Sequence, residues 1–192
     1  MSNTENKVQF NLKNVHYAIL TEGETPEYGT PVHVPGAVSL TMDPQGDVSP
    51  FYADGIAYYQ SLANNGYSGA LEMAKYPDQM LKDVWGMTEG ETDHVIVENV
   101  QTEPKAFALL YQIDGDKDGQ YYCLYNCMGT RPGIGGSTNA ESKTPQTQTS
   151  NITASPLENG NVFARTTANT TASVKSGWFK SVYVPTTTGG EG

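Results

Sequence analysis

Between Phe51 and Gly86 the spacing of apolar residues changes from every second position to every third or fourth, and the rest of the chain is read outward from this stretch. Tyr67, Gly69, Leu71 and Met73 fall on one side, with Ser68, Ala70, Glu72 and Ala74 on the other, a period of two that predicts a strand. Ahead of it, Tyr58, Tyr59 and Leu62 lead into Asn64-Asn65-Gly66. Asn and Gly tolerate the positive φ of a type I′ turn, so the pattern predicts a hairpin joining the segment from Phe51 to the strand from Tyr67. The period then lengthens. Pro77 suits a first helical position, Asp78 sits where the helix dipole favours an anion, and Gly86 suits a left-handed stop. Met80, Leu81, Val84 and Trp85 form one apolar stripe, which predicts a single short helix over about residues 77–85.

Elsewhere the period is two. Val8, Phe10 and Leu12 alternate, then Val15, Tyr17 and Ile19 alternate in the opposite phase, so a bulge or break is expected at Lys13-Asn14. Glu22 to Thr30 reads as a loop. Val32 and Val34, then Val38, Leu40 and Met42, form runs kinked at Pro35-Gly36, and Pro44, Gly46 and Pro50 mark residues 43–50 as a loop. Val95–Val100 is a short strand. Two runs, Phe107–Ile113 and Tyr121–Met128, are apolar on both faces and need cover on both sides. Thr130–Pro145 is a long Gly/Ser/Thr loop, and loops of ~15 residues are functional or disordered more often than not. Gln146–Thr153 reads as an exposed strand, Val162–Thr166 and Trp178–Val184 as further strands, and 185–192 as a flexible tail. Met1–Lys7 is a polar arm expected to be loose. No repeat of 20–50 residues is found. About ten strands with turn signals every ~8–12 residues predict a mainly β chain, a sandwich or barrel with one short helix and long loops, forming a single domain over residues 1–192.

Composition narrows the function. Counted with Gly and without Tyr, the apolar share is about 41%, below the usual ~45–50%, so the core is thin. The net charge of −10 is wrong for gripping nucleic acid, where affinity comes from Lys and Arg displacing counterions, although it would let the chain surround DNA without sticking to it. Met1–Asn6 has no apolar stretch of a secretion signal, and no run reaches the ~18–20 apolar residues of a membrane-spanning helix. Synthesis in a cytoplasm and no membrane partner are therefore expected. Cys123 and Cys127 would face the same way on one strand, roughly 13 Å apart at ~3.3 Å per residue, beyond disulfide reach, so two buried reduced thiols are expected.

Candidate chemistry is sparse. Asp114, Asp116, Asp118 and Gly119 match the opening of a calcium loop, but the closing position holds Tyr125 rather than a bidentate Glu, so a solvated hairpin turn is the better reading. Gly133-Ile134-Gly135-Gly136 lacks the Lys-Ser or Lys-Thr of a phosphate cradle. His16, His33 and His94 are scattered, without a paired Ser, Cys or carboxylate. Asn151-Ile152-Thr153 and Asn169-Thr170-Thr171 fit a glycosylation sequon, which means little without secretion. Phe51, Tyr52, Tyr58 and Tyr59 could stack on a sugar or base, but packing at a subunit boundary is the commoner role. No catalytic, cofactor-binding or metal-ligating residue and no cofactor is expected, and the chain reads as a non-enzyme.

Combined motifs give a family resemblance. Phe51-Tyr52-Ala53-Asp54-Gly55-Ile56, Asn65-Gly66-Tyr67-Ser68-Gly69 and Tyr76-Pro77-Asp78 with its helix resemble the major tail proteins, phi13 type, of long flexible-tailed phages. So do Phe107-Ala108-Leu109-Leu110-Tyr111, Leu124-Tyr125-Asn126-Cys127, Pro145-Gln146-Thr147 through Ile152-Thr153-Ala154-Ser155-Pro156, and Trp178-Phe179-Lys180-Ser181-Val182. The resemblance covers most of residues 7–185. It implies a tail-tube β-sandwich shared with type VI secretion tube proteins, and hexameric rings stacked into a hollow virion tail tube that conducts double-stranded DNA without binding it specifically. The implied partners are copies of the chain, a tape measure protein, a tail initiator or distal tail protein, and a tail terminator. On this reading the 51–75 hairpin helps build the lumen wall, and the Met1–Lys7 arm, the 43–50 loop and the 130–145 loop bridge neighbours. The alternatives are a carbohydrate-binding or adhesin-type β-sandwich, a hydrolase with an unseen acidic pair, and the tube protein of a contractile injection or type VI-like system.

Overall fold

The computed structural model describes residues 5–21, 26–138 and 144–185. Residues 1–4 of the expected arm, 139–143 of the expected long loop and 186–192 of the expected tail lie outside them. In chain order the elements are β1 (Gln9–Thr21), β2 (Glu27–Tyr28), β3 (Val32–His33), β4 (Ala37–Gln45), β5 (Val48–Ala53), β6 (Ile56–Leu62), β7 (Gly66–Met73), α1 (Asp78–Trp85), β8 (Thr88–Glu89), β9 (Ile96–Val97), β10 (Phe107–Gly115), β11 (Gln120–Gly129), β12 (Gln148–Ala154), β13 (Phe163–Arg165) and α2 (Ala172–Gly177). The fold is mainly β and antiparallel. One large sheet runs β2-β1-β10-β11-β12-β7-β4, with β3 also on β1 and β13 also on β11. The sheet curls until β1 and β4 approach, but they do not pair and it is not a closed barrel.

The two strands expected to need cover on both sides have it. Phe107, Leu109 and Tyr111 of β10 and Tyr122 and Leu124 of β11 join a core with Leu71, Met73, Ile152, Tyr76, Met80, Val84 and Trp85, so α1 caps this face. Ala108, Leu110, Cys123 and Tyr125 point the other way, into a smaller cluster capped by Trp178, Phe179 and Val182. The helix ends as its residues dictate: Gly86 takes the left-handed conformation (φ 65°), and its N–H and that of Met87 bond to carbonyls of the last turn. Pro77 is the N-cap rather than the first helical residue.

Several expectations are corrected. The helix is not the only one, because α2 stands before the C-terminal segment. Trp178–Val184 is not a strand. Trp178, Phe179 and Val182 share the spacing of a helical turn and pack on the second cluster that way, and Tyr183 stacks on Trp178 with ring centroids 5.6 Å apart. Strand β12 is not an exposed strand: it pairs with β7 and β11, and its Ser150, Ile152 and Ala154 are buried. Only Ile96–Val97 of the 95–100 run is strand. The slip in β1 is a register shift between Lys13 and His16, with Asn14 at φ 53°, and a second, unforeseen shift follows Phe10 with Asn11 at φ 62°.

The cysteines also depart from expectation. Both are free and buried, but they point to opposite faces, Cys127 into the first core and Cys123 into the second cluster. Phe107 pairs with Cys127 and Leu109 with Leu124, so β11 carries an extra residue between them. That bulge reverses the parity of the strand.

Candidate assembly surface

The ladder between β4 and β7 does not stop where these strands end. The Asn65 N–H donates to the Gln45 carbonyl (2.9 Å) and the Ala63 N–H to the Asp47 carbonyl (3.1 Å), and the two chain segments continue outward as β5 and β6. Among the described residues these pair only with each other, in a two-stranded sheet separate from the main one. The turn at the tip is Asp54-Gly55, with φ 53° and 76°, both positive as a type I′ turn requires. The expected hairpin at Asn65-Gly66 is therefore not there. Gly66 opens β7, which pairs with β4 and β12, and β6 folds back on β5 instead. The expected 43–50 loop is likewise mostly strand, the ends of β4 and β5.

This hairpin is apolar and uncovered. Phe51, Tyr52, Ile56, Tyr58, Tyr59 and Leu62 are each exposed by 62% or more, and Val48 by 57%. Soluble proteins rarely expose so many large apolar side chains on one projection unless it is an interaction surface. The register gives the faces, because residues paired across strands point to the same side. Val48 with Leu62, Pro50 with Gln60, and Tyr52 with Ala57 make one face; Phe51 with Tyr59 and Ala53 with Ile56 make the other. Tyr58 is the extra residue of a bulge between them. The aromatic residues were legible as a boundary candidate. Their partners Val48, Ile56 and Leu62 were missed, although Asp54-Gly55 between two apolar runs is itself a hairpin signal.

The root of the hairpin carries a different surface. Strands β4, β7 and β12 are in register so that Leu40, Leu71 and Ser150 face the core, as do Met42, Gly69 and Ile152. The other face presents Ser39, Glu72 and Thr149 in one row, Thr41, Ala70 and Asn151 in the next, and Asp43, Ser68 and Thr153 in the third. It is small-residued, polar and acidic, with no cation in the three rows. Glu72 accepts from Thr147 Oγ1 (2.6 Å) and Ser39 Oγ (2.9 Å), bonds that hold its carboxyl below the usual carboxylate range. Beyond β4, no strand pairs among the described residues, so its outer edge is open. The opposite border is blunted by the bulges at Asn11 and Asn14 and by short β2 and β3.

The remaining sequence candidates are accounted for locally. Asp114 pairs with Lys13 (2.7 Å) and accepts from Asn11 and Gln112, contacts that lower its pKa, with Lys13 the largest cause. Asp116 accepts the Lys7 N–H (2.7 Å) and Asp118 pairs with Lys175. The Asn6 side chain donates to the Asp118 carbonyl and accepts from the N–H groups of Lys117 and Asp118. The aspartate turn is thus a socket for residues 6 and 7, which are docked on their own chain rather than loose. Residues 130–138 form an irregular loop with Arg131 paired to Glu98 and Ile134 exposed. His16 and His33 face each other across β1 and β3, ring centroids 4.9 Å apart, and His16 also stacks on Phe179 at 4.6 Å; His94 pairs with Glu89 (3.1 Å). Asn151 lies on the polar face of β12, and Asn169 in the turn before α2. Among the described residues, no group of three or more His, Cys, Asp or Glu could hold a metal, and no helix is long and apolar enough to cross a membrane.

No family model and no curated protein matches this chain. Among solved structures it is similar to a chain in the anti-feeding prophage cap, the tube terminating cap, at 16% identity, covering 87% of this chain and 99% of that one with a TM-score of 0.44. It is also similar to a chain in the anti-feeding prophage baseplate, at 10% identity, covering 88% of this chain and all of that one with a TM-score of 0.45. At these values the likeness bears on neither mechanism nor partners.

Proposed function

We propose that this chain is a structural subunit that polymerises with copies of itself into a tail tube, and that it is not an enzyme. The observation that carries the reading is the β5–β6 hairpin, an apolar arm projecting from a chain of net charge −10. An open β4 edge supports it, since copies can continue a sheet across an unpaired border and close it into a ring without edges. The finer reading follows the resemblance: hexameric rings, stacked into the virion tail of a long flexible-tailed phage, assembled with a tape measure, initiator and terminator. In that tube the polar face of β4, β7 and β12 lines the channel. Asp43 and Glu72 repel the phosphates of passing double-stranded DNA, and the small neutral side chains around them offer it little to hold. Only the 66–73 part of the expected 51–75 lumen segment belongs to this wall; residues 51–62 form the arm. The experiment is light scattering on purified protein over a hundredfold concentration range. The reading expects masses rising far above the 20.7 kDa of one chain, and a constant 20.7 kDa would overturn it.

A further inference from the structure

We propose that His16 and His33 form a surface site for one divalent transition-metal ion of the kind imidazole prefers, Zn²⁺ or Cu²⁺. The site lies at the β1 border of the large sheet, and the inference does not depend on the assembly reading above. The two residues are partners across β1 and β3. The Val34 N–H donates to the Val15 carbonyl (2.8 Å). The next pair along, His16 with His33, is therefore of the non-hydrogen-bonded kind, which brings side chains closest. Their ring centroids are 4.9 Å apart, with the planes inclined by 51°. With metal–nitrogen bonds of about 2.0–2.1 Å, two imidazoles on one tetrahedral or square-planar ion have ring centres roughly 4.5–5.2 Å apart. The pair already stands at that spacing.

The position of a proton supports the site independently of spacing. Nδ1 of His16 lies 2.8 Å from the Asn14 carbonyl. A carbonyl can only accept, so Nδ1 carries the hydrogen, and in the neutral ring Nε2 keeps the lone pair. A histidine whose second nitrogen donates to a backbone carbonyl has its tautomer fixed and its basicity as a ligand raised. Asn14 supplies that carbonyl from the register shift in β1, where its φ is 53°. Burial lowers the pKa of His16, which leaves the ring neutral at pH 7.5, as metal binding requires. Phe179 stacks on the same ring at 4.6 Å and restrains its rotation. His33 is exposed, so an ion reaches the pair from solvent and water completes its coordination. The net charge of −10 favours the approach of cations. An ion held there clips β3, a strand of two residues, to the main sheet.

The test is equilibrium dialysis of the full chain, first stripped with a chelator, against Zn²⁺ at pH 7.5; it reads bound metal for monomer and polymer alike. The double variant His16→Gln with His33→Gln measures loose binding to surface carboxylates. Above that background the wild type should bind one ion per chain. His33→Gln alone removes one of the two protein ligands and should weaken the site by about tenfold or more, while His94→Gln should leave it unchanged. Because His33 is exposed and outside both core clusters, its variant keeps the wild-type melting temperature without metal. With Cu²⁺, electron paramagnetic resonance should show two nitrogen ligands in the wild type and one in His33→Gln. A wild type that binds no more metal than the double variant, or a His33→Gln protein that binds as tightly as the wild type, overturns the site. Neither result bears on self-assembly.

Discussion

The indole N–H of Trp85 donates to the carbonyl of Gly129 at 2.9 Å, tying the last turn of α1 to the end of β11. The bond is buried, and Tyr76 meets the same indole edge-on with ring centroids 5.5 Å apart. Trp85→Phe keeps most of the ring but leaves a buried carbonyl without its donor, so a loss of about 1–3 kcal/mol is expected in urea unfolding. Trp85→Ala adds a cavity and should cost about 3–5 kcal/mol.

The two thiols should be silent in the folded protein. Burial pushes the Cys127 thiol up to about 12 and the Cys123 thiol well above its ordinary value, so almost no thiolate forms at pH 8. A thiol reagent at that pH should modify neither cysteine in native protein and both in denaturant. Fast modification of one of them without unfolding would contradict the packing.

Acid should loosen the C-terminal cap through His16. Its half-buried ring donates from Nδ1 to the Asn14 carbonyl (2.8 Å), faces His33 and lies against Phe179. Burial, with His33 adding to it, holds its pKa below 6.5, while the bond to Asn14 pulls the other way. A base whose folded pKa is depressed contributes stability above about 6.5, and that contribution is lost as pH falls through the lower folded value. The melting temperature should drop between pH 7.5 and 5, and His16→Gln should reduce the drop.

Asn6 is the pin of the docked arm. Asn6→Ala removes three hydrogen bonds to the 114–119 turn, all at the surface, so the net cost should not exceed about 1–2 kcal/mol. Amide exchange at Lys117 and Asp118 should speed up while the β10 core stays protected. Unchanged exchange there would mean the arm is held by other contacts.

What could be read in the sequence was local. The alternation in Phe107–Ile113 and Tyr121–Met128, the helical stripe of Met80, Val84 and Trp85, and the slip at Asn14 each follow from neighbours along the chain, and the structure has all of them. What escaped depends on partners far away. Asn65-Gly66 and Asp54-Gly55 both satisfy turn chemistry, and only the pairing of β7 with β4 and β12 decides between them. The bulge that sends Cys123 and Cys127 to opposite faces is set by the register with β10. Strand β12 looks exposed from its Gln, Thr, Ser and Asn, yet its short polar side chains fit a strand paired on both sides, where Ser150 is buried and donates to the Thr130 carbonyl (2.6 Å). The aromatic arm was legible as a boundary, but its two faces required the β5–β6 register.

The central claim is that this chain completes itself only among copies of itself, with the arm and the open β4 edge covered in the assembly. Negative-stain electron microscopy of the purified protein at high concentration tests it most directly. The account predicts rings of uniform diameter or hollow tubes built from them. A field of separate single-chain particles at every concentration would contradict it.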